Sequence, residues 1–146
     1  MAIAERSAET TWNGPLASGS GVIRAADGEL GEIPVTWASR TAEPGGKTSP
    51  EELAAAAHSS CFAMALTLRL GEHKAVPQQL TVSATVTLDE VDGLPTIVSS
   101  DLRVRAQVPG LDDSGFQEIV AEAAALCPVS RLFAGAKISV DAVLDR

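Results

Sequence analysis

Four side chains in this 146-residue sequence have the makings of a reactive site: Cys61, Cys127, His58 and His73. His58 and Cys61 stand three residues apart in a segment that reads as helix, so they are neighbours on one face and form a candidate Cys/His nucleophile pair of hydrolytic type. No Asn or Asp is in an obvious place to orient the histidine, and a histidine in an apolar helix more often serves as a hydrogen-bonded core residue. Zinc would need four ligands at recognisable spacing. These four match no such pattern, and two of them sit singly on different elements, so no metal is expected. Gly19-Ser20-Gly21 has neither the later glycine nor the lysine of a phosphate loop and reads as a turn.

By composition alone, two cysteines are two inert thiols packed as small hydrophobes. Three features lift them above that. Cys61 lies in an almost uniformly apolar segment, where a thiolate is disfavoured unless a cation stands nearby. Arg40, read as the end of a strand just before the loop that enters the helix, is a local candidate for that cation. Cys127 precedes Pro128, which disfavours helical geometry at Cys127; one helix ends there and a short one, over residues 129–133, begins. A thiol at a helix N-terminus has its pKa lowered. By electrostatics alone either cysteine could be the reactive one.

The elements that must position these residues follow from local signals. The first forty residues are short extended pieces, such as Gly21-Val22-Ile23-Arg24 and Ile33-Pro34-Val35-Thr36-Trp37, broken by turns at Asn13-Gly14-Pro15, Gly19-Ser20-Gly21, Asp27-Gly28 and Gly31. They predict a small antiparallel meander. Residues 43–47 form a glycine-rich loop, and Ser49-Pro50-Glu51-Glu52 starts a helix with Ser49 as N-cap, Pro50 at the first helical position and Glu52 completing a capping box. That helix should run to about Leu70 and end at Gly71. Residues 53–70 are apolar almost all round, which predicts a buried helix. From Leu80 the period changes to two, Asp92-Gly93 turns the chain back, and residues 102–108 form the second arm of a hairpin. Asp112-Asp113-Ser114 opens another helix, and residues 137–144 form the last strand.

The totals set outer limits. At this length and with 45% hydrophobic residues the chain reads as one domain with a real core, built from small and branched aliphatics because only 3% of residues are aromatic. A net charge of -8 makes nucleic acid and anionic membranes poor partners. The charged N-terminus lacks the apolar run of a signal peptide and no stretch reads as bilayer-spanning without polar residues, so a cytoplasmic location is expected. There the two thiols rest reduced, and any disulfide between them is transient.

The run from Thr48-Ser49-Pro50-Glu51-Glu52 through His58-Ser59-Ser60-Cys61-Phe62-Ala63-Met64-Ala65-Leu66, with the later Cys127-Pro128-Val129-Ser130-Arg131, resembles the OsmC/Ohr superfamily of osmotically inducible and organic-hydroperoxide-resistance proteins. The likeness spans essentially the whole chain in order. It implies an α/β (α+β) fold with antiparallel sheets around a long central helix, and two subunits interlocked as a homodimer with active sites at the interface. It implies a thiol peroxidase without metal or organic cofactor, acting on an organic hydroperoxide and recycled by a lipoyl-type or small dithiol reductant. By matching positions, Cys61 is the peroxidatic thiol, Cys127 the resolving thiol, Arg40 the activating arginine and Glu51 its carboxylate partner. Arg40 just before the helix, and His58 where the sister branch has Tyr, place the chain in the OsmC branch. Phe62 and Met64 are expected to floor an apolar pocket. Ten helical residues between Glu51 and Cys61 rise about 15 Å, so the relay is expected to cross between subunits about an axis near Ala56.

Overall fold

A computed structural model of the chain describes residues 1–26 and 30–145; the Asp27-Gly28 turn lies outside them. Two compact units are formed, Met1–Leu53 and Ala54–Arg146.

In the first unit, β1 (Ala8–Asn13), β2 (Ser20–Ala25) and β3 (Glu32–Val35) make the antiparallel meander in that order. The glycine turns do their part: Gly14 has φ 91°, and any Cβ on Gly19 would strike the Asn13 and Pro15 carbonyls. The extended run at residues 33–37 stops earlier than expected. Thr36 caps a short helix, α1 (Trp37–Thr41), and a reciprocal pair of hydrogen bonds joins Thr36 and Ser39. Arg40 is therefore in the last turn of a helix, not at the end of a strand, because a complete capping box closes over four residues that also look extended. The Ser39 hydroxyl also donates to the Thr48 carbonyl, and Thr48 N–H donates to Pro34 O, tying the loop at residues 43–47 back onto β3.

The helix α2 (Pro50–Glu72) starts where expected, with Glu52 N–H donating to Ser49 Oγ at 3.1 Å. Glu52 completes the cap differently: its carboxylate accepts from the Thr48 hydroxyl at 2.7 Å. The far end passes Gly71, and the left-handed residue that turns the chain away is Lys74, with φ 60°. There Arg69 and His73 both reach Glu122 on α3 (Asp113–Leu126). The hydrogen bond from His73 holds the Glu122 carboxyl below its ordinary range.

In the second unit, β4 (Gln79–Val91) and β5 (Leu94–Gln107) pair antiparallel about Asp92-Gly93. Both turn residues have positive φ, 52° and 79°, the geometry that matches the twist of a two-residue hairpin. The second arm starts at Leu94, well before the alternating stretch, because that turn holds its first residues in register with the far end of β4. The sheet departs from the antiparallel expectation at β6 (Lys137–Leu144), which runs parallel to β5. Between them lie α3 and α4 (Pro128–Leu132), the long crossover that parallel neighbours require. Phe62, Leu66 and Leu70 of α2, Leu102, Val104 and Ala106 of β5, Phe116, Ile119, Val120 and Ala123 of α3, and Leu144 form the core.

The expectation of a fully buried α2 is corrected. Met64 is 68% exposed and Leu68 56%, and Ala56, Ala57 and Ser60 are exposed as well. The helix is long and apolar enough to cross a membrane by length and composition alone, but the face bearing Phe62, Leu66 and Leu70 is that of a core helix. Its two sides have different jobs although both are apolar.

Candidate active site

The expected site residues come together in two pairs. The first is Arg40 with Glu51. Arg40 projects from the last turn of α1 and Glu51 from the first turn of α2, and Nε donates to Glu51 Oε1 at 2.8 Å. The guanidinium carbon lies 5.9 Å from the Trp37 ring centroid, within cation–π range. Among the described residues, no hydrogen bond engages Arg40 Nη1 or Nη2. Glu51 is buried, and its Oε2 has no partner among the described residues. A cleft of about 200 Å³ opens beside Arg40, lined by Trp12, Leu16, Val35, Thr36, Trp37 and Pro50. Of the two residues expected to floor an apolar pocket, Phe62 is fully buried in the core, and Met64 is exposed at a separate cleft with Ala63, Thr67, Leu68 and Leu80.

The second pair is Cys61 with Cys127, both free thiols, their sulfurs 3.4 Å apart. Cys61 sits on the core-facing side of α2, partly exposed; Cys127 is fully buried where α3 gives way to α4. Cys127 has ψ 117°, so the helix breaks there, as a residue before proline requires. Burial pushes the Cys61 thiol up, and the neighbouring Cys127 adds to this; the Val129 N–H opposes it more weakly. Within residues 54–145 no positive charge acts on it. Burial also pushes Cys127 up, but the Ser130 hydroxyl and N–H, the Cys61 thiol and the Val129 N–H outweigh it, leaving Cys127 below its ordinary value. The sulfur makes no full helix-cap bond; the nearby donors act on its charge. Of the two thiols, Cys61 is the one a solute can reach.

His58 is wholly buried one turn before Cys61. Its Nδ1 meets Ser100 Oγ at 2.6 Å and its Nε2 meets Ser130 Oγ at 2.7 Å, with Phe133 edge-on to the ring. Both ring nitrogens are taken by serines, so the direct Cys61/His58 pair of a hydrolase is not formed. Burial lowers the His58 pKa from its ordinary value. The two serines had no assigned role in the sequence. Ser100 was within reach of it, because counting back by two from the inward Leu102 puts it on the buried face. Among the described residues, no three His, Cys, Asp or Glu side chains gather as a metal site.

The pattern of an OsmC-like protein matches residues 43–142, which takes in Glu51 and both cysteines. The chain belongs to the OsmC-like family. It is 39% identical over 130 residues to the peroxiredoxin OsmC of Escherichia coli K12, covering 89% of this chain and 90% of that protein. To an organic hydroperoxide resistance protein-like chain of Mycoplasma pneumoniae it is 31% identical, covering 80% of each. A solved OsmC-like protein of unknown function from Vibrio cholerae superposes with a TM-score of 0.78 over 97% of this chain and all of that one; at 16% identity the likeness is one of fold. This chain has a mixed α+β fold with two small sheets, and its overall fold is like that of the Vibrio cholerae protein.

Proposed function

We propose that this protein is a thiol-dependent peroxidase that reduces organic hydroperoxides to alcohols, with Cys61 oxidised first and Cys127 resolving it. One observation carries the reading: two free thiols stand 3.4 Å apart, one partly open to solvent and the other fully buried. A peroxide meets Cys61 before Cys127. The names borne by the Escherichia coli and Mycoplasma pneumoniae relatives support the same class of substrate.

The Cys61 thiolate attacks the distal peroxide oxygen; an S–O bond forms, the O–O bond breaks, and the departing alkoxide takes up a proton to leave as alcohol. The sulfenic acid on Cys61 then condenses with Cys127 to a disulfide and water, and a dithiol reduces the pair. Thiols that must return to the reduced state suit a reducing cytoplasm.

Cys61 is raised by burial, so it needs a cation to ionise near neutral pH. Arg40 is the group to supply it. Its Nε is held by Glu51 and its two terminal nitrogens are unengaged by the described residues, leaving donors for the thiolate and for charge moving onto the leaving oxygen. The complete site is a property of a homodimer, in which Arg40 and Glu51 of one subunit serve Cys61 of the other. The exposed apolar face of α2, with Met64 and Leu68 at helical spacing and small Ala56, Ala57 and Ser60 beside them, supports that assembly, since such a face is stable only when covered. Peroxide consumption with cumene hydroperoxide and dithiothreitol tests the activity. Turnover that vanishes in Cys61→Ser is the expected result, and a protein that leaves the peroxide untouched overturns the reading.

A further inference from the structure

Two sulfurs held 3.4 Å apart by the fold are also a chelating bite, and the distance selects what can occupy it. Cys61 comes from α2 and Cys127 from the junction of α3 and α4, and both are free thiols. At thiolate bond lengths of about 2.3 Å, sulfurs at this separation subtend roughly 95° at an atom they share. A tetrahedral ion would spread them to roughly 3.8 Å and a linear two-coordinate ion to roughly 4.6 Å. An angle this far below the tetrahedral value belongs to a pyramidal trivalent centre, whose lone pair presses its three bonds together. The number of donors points the same way. Among the described residues no third His, Cys, Asp or Glu joins the pair, and both ring nitrogens of His58, one turn from Cys61, are taken by serines. A zinc ion would be left two ligands short. The occupant must need two sulfurs from the protein and bring its remaining bond with it.

We propose that Cys61 and Cys127 form a binding site for monosubstituted trivalent arsenicals, which the two sulfurs close into a ring. Their spacing supports this whether or not the two thiols reduce peroxides. An arsenical oxide, R–As=O, meets the partly exposed Cys61 first; an As–S bond forms and the thiol proton passes to the oxygen. The buried Cys127 then displaces the hydroxyl from arsenic, its own proton leaving with that hydroxyl as water. Two thiols and one arsenical thus give one ring and one water. Arsenic stays trivalent and neither sulfur is oxidised, so no further reactant is needed. The second As–S bond forms within one molecule at an effective concentration fixed by the fold, and sulfurs already at the required spacing lose little freedom when the ring closes. If the pair is the peroxidase centre, an arsenical in the site removes both sulfurs of the cycle at once.

The test mixes the full chain, reduced and then freed of reductant, with one equivalent of phenylarsine oxide. Expected are an intact mass raised by one arsenical less one water, loss of both thiols from titration with Ellman's reagent, and X-ray absorption showing two sulfurs and one carbon about arsenic. Glutathione, a monothiol, should fail to release the arsenic, whereas dithiothreitol should release it. The bite exists in the folded chain and is lost when the two cysteines, 66 residues apart in sequence, separate on unfolding, so the melting temperature should rise. Cys61→Ser and Cys127→Ser should each bind about a hundredfold more weakly, because neither can close the ring. Where Cys127→Ser does not fold, the melting temperature and absorption spectrum of the unsubstituted chain carry the test. A thiol left free after one equivalent, release by glutathione, or three sulfurs about arsenic overturns the proposal. So does a fall in melting temperature, which would mean that arsenic draws the pair out of its native spacing. A chain that binds the arsenical and leaves cumene hydroperoxide untouched would defeat the peroxidase reading alone.

Discussion

Arg40 Nε donates to one oxygen of Glu51 at 2.8 Å, while the other oxygen of Glu51 is buried with no partner among the described residues. A buried carboxylate oxygen without a donor is unfavourable, and the guanidinium beside it has nitrogens to spare. On the proposed reading a second subunit completes the arrangement. Arg40→Ala should lower kcat/KM for an organic hydroperoxide about a hundredfold, as loss of a donor to a developing oxyanion does. Glu51→Gln should act in the same direction by less. A mixed dimer of Cys61→Ala and Arg40→Ala subunits should recover one of its two sites. Mixed dimers as inactive as both parents would show that each site is built within one chain.

The assignment of the two sulfurs separates cleanly by trapping. Cys61→Ser should abolish turnover, whereas Cys127→Ser should consume about one peroxide per subunit and accumulate a sulfenic acid that dimedone labels. Dimedone found on Cys127 in the Cys61→Ser protein would reverse the roles.

Substrate preference follows from the apolar cleft beside Arg40, walled by Trp12, Leu16, Val35 and Trp37. Each methylene of a hydroperoxide tail buried there adds about 0.8 kcal/mol of binding, so cumene hydroperoxide should show a higher kcat/KM than hydrogen peroxide. Trp12→Ala should narrow that difference. Equal values for the two peroxides would count against the cleft as the tail site.

The exposed side of α2 predicts assembly. If the proposed homodimer packs through this face, Met64→Glu with Leu68→Glu should convert it to monomer in light scattering and remove peroxide turnover, because like charges would then meet across the interface. Retention of the dimer in the doubly substituted protein would place the interface elsewhere.

Stability should depend on pH through His58. Burial holds its folded pKa below the unfolded value of about 6.5, so as pH falls the unfolded chain takes up a proton that the folded chain resists. The contribution is therefore fully present above about pH 6.5 and is lost as pH drops from there toward the folded pKa. Denaturant titrations of the wild type and His58→Gln should show a shallower acid-side slope for the variant. Identical slopes would mean that His58 is not a source of the pH dependence.

Sequence by itself determined what is decided within about one turn of chain. Ser49-Pro50 starts α2 because a hydroxyl and a missing N–H solve the helix-end problem locally. Asp92-Gly93 reverses β4 because both residues tolerate positive φ, and Cys127-Pro128 breaks α3 because the ring forbids helical geometry before it. The two cysteine motifs were equally legible as residues. Their 3.4 Å separation was not, since it joins positions 66 residues apart in the chain. The apolar helix already favoured a hydrogen-bonded core histidine over a hydrolytic partner for Cys61, but only tertiary structure decided that its partners are Ser100 and Ser130, 42 and 72 residues away. Even α1 needed the return of Thr48 to hold Ser39 in place. Periodicity had no way to divide α2 into a covered side and an open one, because both are apolar; only the sheet and helix that occupy one side distinguish Phe62 from Met64. Caps and turns are energies of neighbours, whereas a reactive site is a meeting of distant residues, and only the packed core brings those together.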